Sequence, residues 1–229
     1  MKKELIIAAA IVIAGAMLPV SVSKFRSYDR TVDVKGLCER EVKADKVIWP
    51  LGNKVVGDDL AAALAETERN NKLIVDFLVD GGIPADQITV AAPAISDKFA
   101  SEYGSNDRRF RYLIKSVITV CTDMVDDVIS LQSRQSELMK KGIAFSADSW
   151  ENQPQFKFEA LNEIKPEMIE EATANARAAA KKFAQDSESS LGKIKTATQG
   201  TFSIEDRDSN TPQIKKVRVV TYVTYYIKH

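Results

Sequence analysis

The C-terminal segment limits most strongly what this chain can fold into. Residues 216–228 alternate as a β-strand, and both faces of that strand are rich in valine, threonine and tyrosine. A strand of this length extends about 40 Å at roughly 3.3 Å per residue, whereas most strands have about five or six residues. Because both faces are largely apolar, we expect either the centre of a sheet or an edge at which copies of the chain assemble. The candidate assembly contacts are Val223, Tyr225 and Tyr226.

Three segments with the helical spacing of apolar residues precede this strand. They lie near 58–80, from Asp123 to Gly142, and near 166–188, where Pro166 is expected at the helix start. A glycine and a strand-like segment follow each helix, with the glycines at positions 82, 142 and 192. This order predicts an α+β fold of repeated β-α units. Three main helices would pack on a mixed or antiparallel sheet with a long C-terminal strand.

The other strand-like segments suggest how the sheet is connected. Residues 30–38 and 42–51 are expected to open the chain as a β-hairpin, and residues 110–121 to form a central strand. A polar loop at 205–214 is expected to join a strand at 194–204 to the final strand as another hairpin.

The N-terminus has the pattern of a membrane-targeting segment. Lys2 and Lys3 precede an uninterrupted apolar run at residues 5–20, which is shorter than the roughly 20 residues needed to cross a bilayer. We therefore expect residues 1–23 to be a signal peptide or a membrane anchor, with membrane contact only through the apolar run. No linker rich in proline, glycine or serine divides residues 24–229, which are predicted to be one exported domain. That domain would be periplasmic, or anchored in the inner membrane and facing the periplasm.

Composition and missing motifs argue against several classes of function. The 32 basic residues balance 32 acidic ones, so no surplus of positive charge is present to bind nucleic acid. His229 is the single histidine, and two cysteines cannot form a four-thiolate metal site. Phosphate-binding loops, zinc-protease motifs and serine-hydrolase motifs are missing from the sequence. We therefore predict no cofactor, no metal site, no catalytic residues and no enzymatic activity.

The two cysteines allow two interpretations. Cys38 and Cys121 each follow strand-like sequence, and an exported chain can pair two cysteines in an oxidising compartment. The alternative is two free, buried thiols.

Three arginines and a run of alanines also each have two interpretations. Arg108, Arg109 and Arg111 lie at the end of a polar loop at 96–109 and could clamp a carboxylate or phosphate, or be solvated loop charges. A stripe of small residues in the third helix favours close core packing over a subunit interface. The stripe consists of Ala172, Ala176, Ala179, Ala180 and Ala184.

Several short segments, read in order, resemble the SIMPL-domain family of bacterial envelope proteins. These are Thr31–Gly36, Glu41–Lys46, Leu78 with Gly82-Ile83-Pro84, Asp86–Thr89, Tyr112, Gly142, the spaced alanines and Leu191-Gly192. The resemblance covers about residues 30 to 228. Members are also described as periplasmic immunogenic or oxidative-stress-defence proteins. The resemblance implies an exported α+β ectodomain, a tendency to self-associate and a link to stress defence, and it implies no catalytic residues.

These observations favour a non-enzymatic cell-envelope protein that acts by self-assembly or by binding another envelope component. A homo-oligomer and an envelope protein are therefore the expected partners. The alternative is a small-molecule-binding module that uses Arg108, Arg109 and Arg111.

Overall fold

The computed structural model describes residues 30–100, 109–145 and 153–228. The described strands, in chain order, are β1 (Thr31–Lys43), β2 (Lys46–Gly57), β3 (Ile88–Val90), β4 (Ala94–Asp97), β5 (Tyr112–Thr122), β6 (Gln155–Lys157), β7 (Ser190–Gln199), β8 (Ser203–Asp206) and β9 (Ile214–Lys228). The α-helices are α1 (Leu60–Asp80), α2 (Val125–Arg134), α3 (Ser136–Lys140) and α4 (Leu161–Asp186). The α+β class predicted from the sequence is confirmed. None of the described helices is long and apolar enough to cross a membrane. The predicted leader lies outside the described residues.

The chain divides into two compact units, and the prediction of one exported domain over residues 24–229 stays a prediction. Unit 1 comprises the chain up to Arg40, Leu161–Glu205 and the chain from Lys216, and unit 2 comprises Glu41–Ala160 and Asp206–Lys215. The segments of the two units therefore alternate along the chain. None of the four crossing points is rich in proline, glycine or serine. A search for one flexible linker consequently finds no boundary.

The first sheet has the strand order β1-β9-β7, and β8 also pairs with β9. Helix α4 packs on this sheet through the alanine stripe, of which Ala172, Ala176, Ala180 and Ala184 are buried. A Cβ atom added at Gly36 of β1 would lie only 1.8 Å from the carbonyl oxygen of Ala172. Small side chains on the helix and a glycine on the strand thus bring two backbones into contact, and the interpretation of the alanines as core residues is confirmed.

Helix α4 starts five residues before the predicted proline start. Its first residue is Leu161, and Pro166 lies inside the helix. A proline removes the hydrogen bond of its own missing N–H, which would have reached back four residues to Asn162, and its ring crowds the carbonyl group of that residue. Near a helix start that loss is tolerated, so Pro166 marks the first turns of the helix and not its boundary.

The second sheet belongs to unit 2 and has the order β3-β5-β2-β6, with β4 also paired to β5. Strands β2 and β5 pair without interruption from Val47 opposite Thr122 to Gly57 opposite Tyr112. Large side chains from this sheet and from α1, α2 and α3 form the main core, including Trp49, Ile74 and Leu131. The predicted central strand is confirmed as β5, which pairs with β2, β3 and β4.

The predicted opening hairpin is wrong. Strands β1 and β2 follow each other in the sequence, but β1 pairs with β9 and β2 pairs with β5 and β6. Alternation of apolar residues identifies a strand without identifying its partner, and here each strand pairs with a distant segment. The second predicted hairpin is confirmed in outline, because β7 and β8 both pair with β9.

Candidate functional site

The final strand, β9, is the centre of its sheet and not an assembly edge. It pairs with β1 on one side and with β7 and β8 on the other. Val223 and Tyr225 are buried, and Tyr226 is half-buried. Both hydrogen-bonding edges of β9 are therefore occupied by the chain's own strands. The sheet centre is thus the alternative that the structure shows, and assembly contacts at Val223, Tyr225 and Tyr226 stay a prediction.

Strand β7 has the features that the sequence assigned to β9. Among the described strands it pairs only with β9, so its other edge is open within the described part of the chain. From Lys193 to Gln199 every residue is exposed. Residues 193–199 carry Lys193 and Lys195 at their start, whereas Thr196–Gln199 contains no charge. The described fold thus contains a long exposed edge strand, which natural sheets usually shorten, charge or cover.

The direction of individual β7 amides follows from one hydrogen bond. The Gly200 N–H donates to the Val220 carbonyl oxygen at 2.8 Å. Alternate residues in an antiparallel strand turn their N–H and C=O groups to opposite edges. Thr196 and Thr198 share the orientation of Gly200 and lie opposite Thr224 and Tyr222 of β9. The N–H and C=O groups of Ala197 and Gln199 therefore point away from β9, toward the open edge.

The structure describes two of the three predicted arginines. Arg108 lies outside the described residues, and Arg109 is exposed. Arg111 donates from Nε and Nη2 to Asp97 Oδ2 at 3.1 and 3.0 Å, and its backbone N–H donates to Asp58 Oδ1. The hydrogen bonds from Arg111 and from the Phe99 N–H lower the pKa of Asp97. Arg111 thus holds β4 beside β5 with its charge already paired, and the clamp remains a prediction.

The two cysteines have different surroundings. Both are free thiols in the structure, with Cys38 buried in unit 1 and Cys121 exposed in unit 2. Cys38 lies inside β1 and not at its end. Burial and a hydrogen bond with Glu171 raise the pKa of the Cys38 thiol. The same thiol and Arg40 lower the pKa of Glu171. Cys38 is therefore held in its protonated, weakly nucleophilic form. Whether the two cysteines are bonded in the mature protein stays a prediction.

A buried layer of polar side chains crosses the core of unit 2, and the sequence analysis missed it. Asn53 and Ser116 lie opposite each other on β2 and β5, and Asn70 lies on the buried side of α1. Asn53 Oδ1, Asn70 Oδ1 and Ser116 Oγ are buried and have no hydrogen-bond partner among the described residues. The amide of Asn53 donates to Asn71 Oδ1 at 3.0 Å.

The polar layer separates two apolar clusters. Two residue pairs along the sheet in one direction, on the same face, lie Leu51 and Ile118 of the main core. Two pairs along in the other direction lie Val55 and Ile114 of a smaller cluster. Sequence alternation marks Asn53 and Ser116 as inward positions, but it cannot show that polar positions from three elements meet.

A groove in unit 1, with a volume of about 510 Å³, lies where the end of α4 leads into β7. Its lining includes Arg177, Lys181 and Gln185 of α4, followed by Ser189 and Ser190. No carboxylate is among its lining residues. The sequence does contain a signal for this feature, which is a pair of cations four residues apart on one helix without a nearby acid.

In the 205–214 loop, the Asp208 carboxylate accepts hydrogen bonds from within the loop and so stabilises its conformation. Asp208 accepts hydrogen bonds from the Asn210 N–H, the Thr211 N–H and the Thr211 hydroxyl. These bonds and the one from Arg207 lower the pKa of Asp208 to about 2. Within the described ranges, no group of three or more histidine, cysteine, aspartate or glutamate side chains is placed to hold a metal ion.

The fold defines a class of mixed α+β proteins in which helices pack on two antiparallel sheets. A family model described as "SIMPL: Protein of unknown function (DUF541)" matches residues 32–225. The chain belongs to the SIMPL family, as the sequence resemblance predicted. No curated protein matches it.

Proposed function

We propose that this chain is a non-enzymatic cell-envelope protein that assembles with copies of itself through the open edge of β7. The proposed location follows from residues 1–23, which have the basic start and apolar run of an export signal or anchor. The lack of recognised catalytic motifs in the sequence supports a role without catalysis. The observation that carries the assembly proposal is the exposed β7 edge.

Pairing of two β7 strands from different copies satisfies the groups that the open edge presents. The outward N–H and C=O groups of Ala197 and Gln199 would each gain a partner in an antiparallel pair. In a register centred on Thr196, Lys195 lies opposite Ala197 and Lys193 lies opposite Gln199. No lysine then faces another lysine, so the lysines that discourage random edge pairing do not oppose this register. The contact is self-complementary, as a two-fold dimer interface requires.

A proline at position 197 tests the edge directly. Ala197→Pro removes an N–H that points to the open edge, and prolines are accommodated on edge strands when the missing N–H faces outward. The matched control, Ala197→Ser, changes the side chain and keeps the N–H. Both variants are expressed with residues 1–23 present and are purified in the form that the cell produces. They are then compared with the wild type by size-exclusion chromatography with light scattering.

We expect the wild type and Ala197→Ser to elute as the same oligomer and Ala197→Pro to elute as a smaller species. Circular dichroism should show that the proline variant keeps its folded spectrum. A wild type that stays monomeric at high concentration, or a folded proline variant that assembles fully, would contradict the proposal.

The envelope location has its own test. A reporter enzyme that is active only outside the cytoplasm is fused after His229, and a second fusion carries a reporter active only inside. We expect activity from the first fusion alone when the chain is intact, and from the second fusion alone when residues 1–23 are deleted. Activity of the cytoplasmic reporter on the intact chain would refute the proposed location.

A further inference from the structure

The groove between α4 and β7 has an uncompensated positive charge. Arg177 and Lys181 lie four residues apart on α4, and both line the groove. The positions three and four residues away from each hold threonine, alanine, glutamine or the other cation. Like charges at this spacing repel each other and destabilise a helix. Within the described residues, neither side chain forms an ion pair.

Other charges of the same helix are balanced in the ordinary way. Lys182 pairs with Asp186 at 2.6 Å, four residues later. Glu167 and Glu171 both accept from Arg40. Lys165, a fourth cation of the helix, lies over the Phe202 ring at 5.8 Å. The two described cations of α4 that have neither an ion pair nor a ring contact, Arg177 and Lys181, therefore both line the groove.

The C-terminal end of α4 does not account for the two cations. A cation favours a helix C-terminus only within about the last turn. Lys181 is five residues before the last helical residue, Asp186, and Arg177 is nine residues before it. The last carbonyl groups already have donors, because the Ser187 and Ser189 N–H groups bond to Phe183 and Ala184 at 3.2 and 2.8 Å. The residual negative charge of the helix end is thus largely satisfied.

We propose that this groove is a binding site for an oxyanion, the phosphate or carboxylate group of a small molecule or of a lipid headgroup. The guanidinium of Arg177 supplies a planar pair of donors that matches an oxyanion, and Lys181 supplies a second charge. The groove's volume of about 510 Å³ exceeds that of a bare ion, so it also accommodates part of the molecule that carries the charge. This site is separate from the 196–199 edge used in the assembly proposal.

The probe is inorganic phosphate, with succinate as a dicarboxylate and sodium chloride as the reference at equal ionic strength. The protein is expressed as the full chain and purified in the form that the cell produces. Each salt is then added at increasing concentration, and the melting temperature is recorded at each step. The variants are Arg177→Gln and Lys181→Gln. The matched control is Lys182→Gln, which removes a charge from the neighbouring residue that does not line the groove.

We expect a saturable rise in the melting temperature of the wild type and of Lys182→Gln with phosphate, succinate or both, above the effect of chloride. Each groove variant should weaken the apparent affinity about tenfold or more, because each removes a charge-assisted contact. Equal effects of the oxyanions and chloride, or equal responses in the groove variants and the control, would overturn the proposal.

Vesicles distinguish the two sources of the oxyanion. Sedimentation with phosphatidylglycerol vesicles is compared with sedimentation with phosphatidylcholine vesicles, using the same variants. Binding to the anionic vesicles that needs Arg177 and Lys181 would assign a headgroup, whereas saturation by soluble oxyanions alone would assign a small molecule. Light scattering of the same samples separates this proposal from the assembly proposal, since the groove variants should keep the wild-type oligomeric state.

Discussion

The two units build their cores in opposite ways. In unit 1, four buried alanines of α4 lie on a sheet whose strand β1 carries a glycine at the contact. In unit 2, the core consists of large side chains such as Trp49, Phe77 and Leu78, and a polar layer interrupts it. Backbone atoms therefore set the helix-to-sheet distance in unit 1, whereas side-chain volume sets it in unit 2. The first core should be sensitive to added atoms and the second to removed ones.

The largest effect should come from one added carbon in unit 1. In Gly36→Ala the new Cβ would lie 1.8 Å from the Ala172 oxygen and 2.6 Å from the Ala176 nitrogen. Both contacts are with backbone, so a rotamer change cannot relieve them, and we expect a loss above about 4 kcal/mol of unfolding free energy. Urea unfolding followed by circular dichroism measures it.

Gly57→Ala is the matched control in unit 2. The new Cβ there would meet only Ala63 Cβ at 3.5 Å, an ordinary contact, and Asp59 O at 3.8 Å. We expect a change within about 1 kcal/mol. The comparison of the two cores fails if Gly36→Ala and Gly57→Ala unfold at the same urea concentration.

The next effect should come from removing atoms in unit 2. Leu78 is completely buried in the main core. Leu78→Ala should cost about 3 kcal/mol, because it removes apolar contacts and leaves a cavity. Leu37, which is 41% exposed on β1, serves as the control, and Leu37→Ala should change stability by less than about 0.5 kcal/mol. Comparable losses in the two variants, measured by thermal unfolding, would show that the core is not packed as described.

The polar layer should respond differently at its two kinds of position. Asn71→Ala leaves the buried amide of Asn53 without its acceptor and should cost about 1 to 3 kcal/mol. Ser116→Ala removes a buried hydroxyl that has no partner among the described residues, and should be neutral or slightly stabilising. A loss above about 1 kcal/mol for Ser116→Ala would mean that this hydroxyl makes a hydrogen bond in solution.

Each unit also has a carboxylate with a lowered pKa, and the pH dependence follows from its direction. A carboxyl whose pKa falls on folding adds stability above its unfolded pKa, and that stability is lost as the pH falls through the folded value. For Asp208 the window runs from the ordinary 3.8 down to about 2. Glu171 should lose its contribution as the pH falls below the ordinary 4.5.

We therefore expect Glu171→Gln and Asp208→Asn each to flatten the acid limb of the stability curve, measured by urea unfolding from pH 5 to pH 2. Glu171 is exposed and Asp208 is only half-buried, so water screens both carboxylates and the changes should be small. If both variants lose stability between pH 5 and pH 2 as the wild type does, Glu171 and Asp208 do not cause that loss.

The smallest effect on stability is expected from the thiols if they are free, as they are in the structure. A thiol reagent should label the exposed Cys121 in the native protein and reach the buried Cys38 only after denaturation. Two equivalents in denaturant without prior reduction would agree with two free thiols. None would support the disulfide, and reduction should then lower the melting temperature by several degrees.

Local signals in the sequence were enough to predict the helices and strands, but not to predict which strands pair with each other. Asp59 caps α1 by accepting from the Ala62 N–H. Gly82, the glycine that the sequence places after the first helix, adopts a φ of 95° just beyond its end. The length of the final strand indicated a sheet centre or an edge, and only its two neighbours decided between them. The prediction of an opening hairpin was wrong because β1 and β2 each pair with strands much later in the chain.

The candidate sites were harder to predict because each depends on where separate elements meet. The charge of Arg111 suggested a ligand, and the fold instead places Asp97 beside it. In the sequence, Arg177 and Lys181 are only two cations on one helical face, and the groove exists because the start of β7 lies next to them. The exposure of β7 likewise depends on the sheet order, in which β7 pairs with β9 on one edge and with no described strand on the other.

The position of β9 determines when the first sheet can form during synthesis. Strand β9 lies between β1 and β7, yet it is synthesised after every other described strand. Residues 44–213 separate β1 from β9, which at roughly 5 to 20 residues per second means that β1 waits about 10 to 30 seconds for its partner. The five strands of the second sheet are all complete by Lys157. A nascent chain released after Lys157 but before Ile214 would therefore have every strand of the second sheet and would lack the central strand of the first.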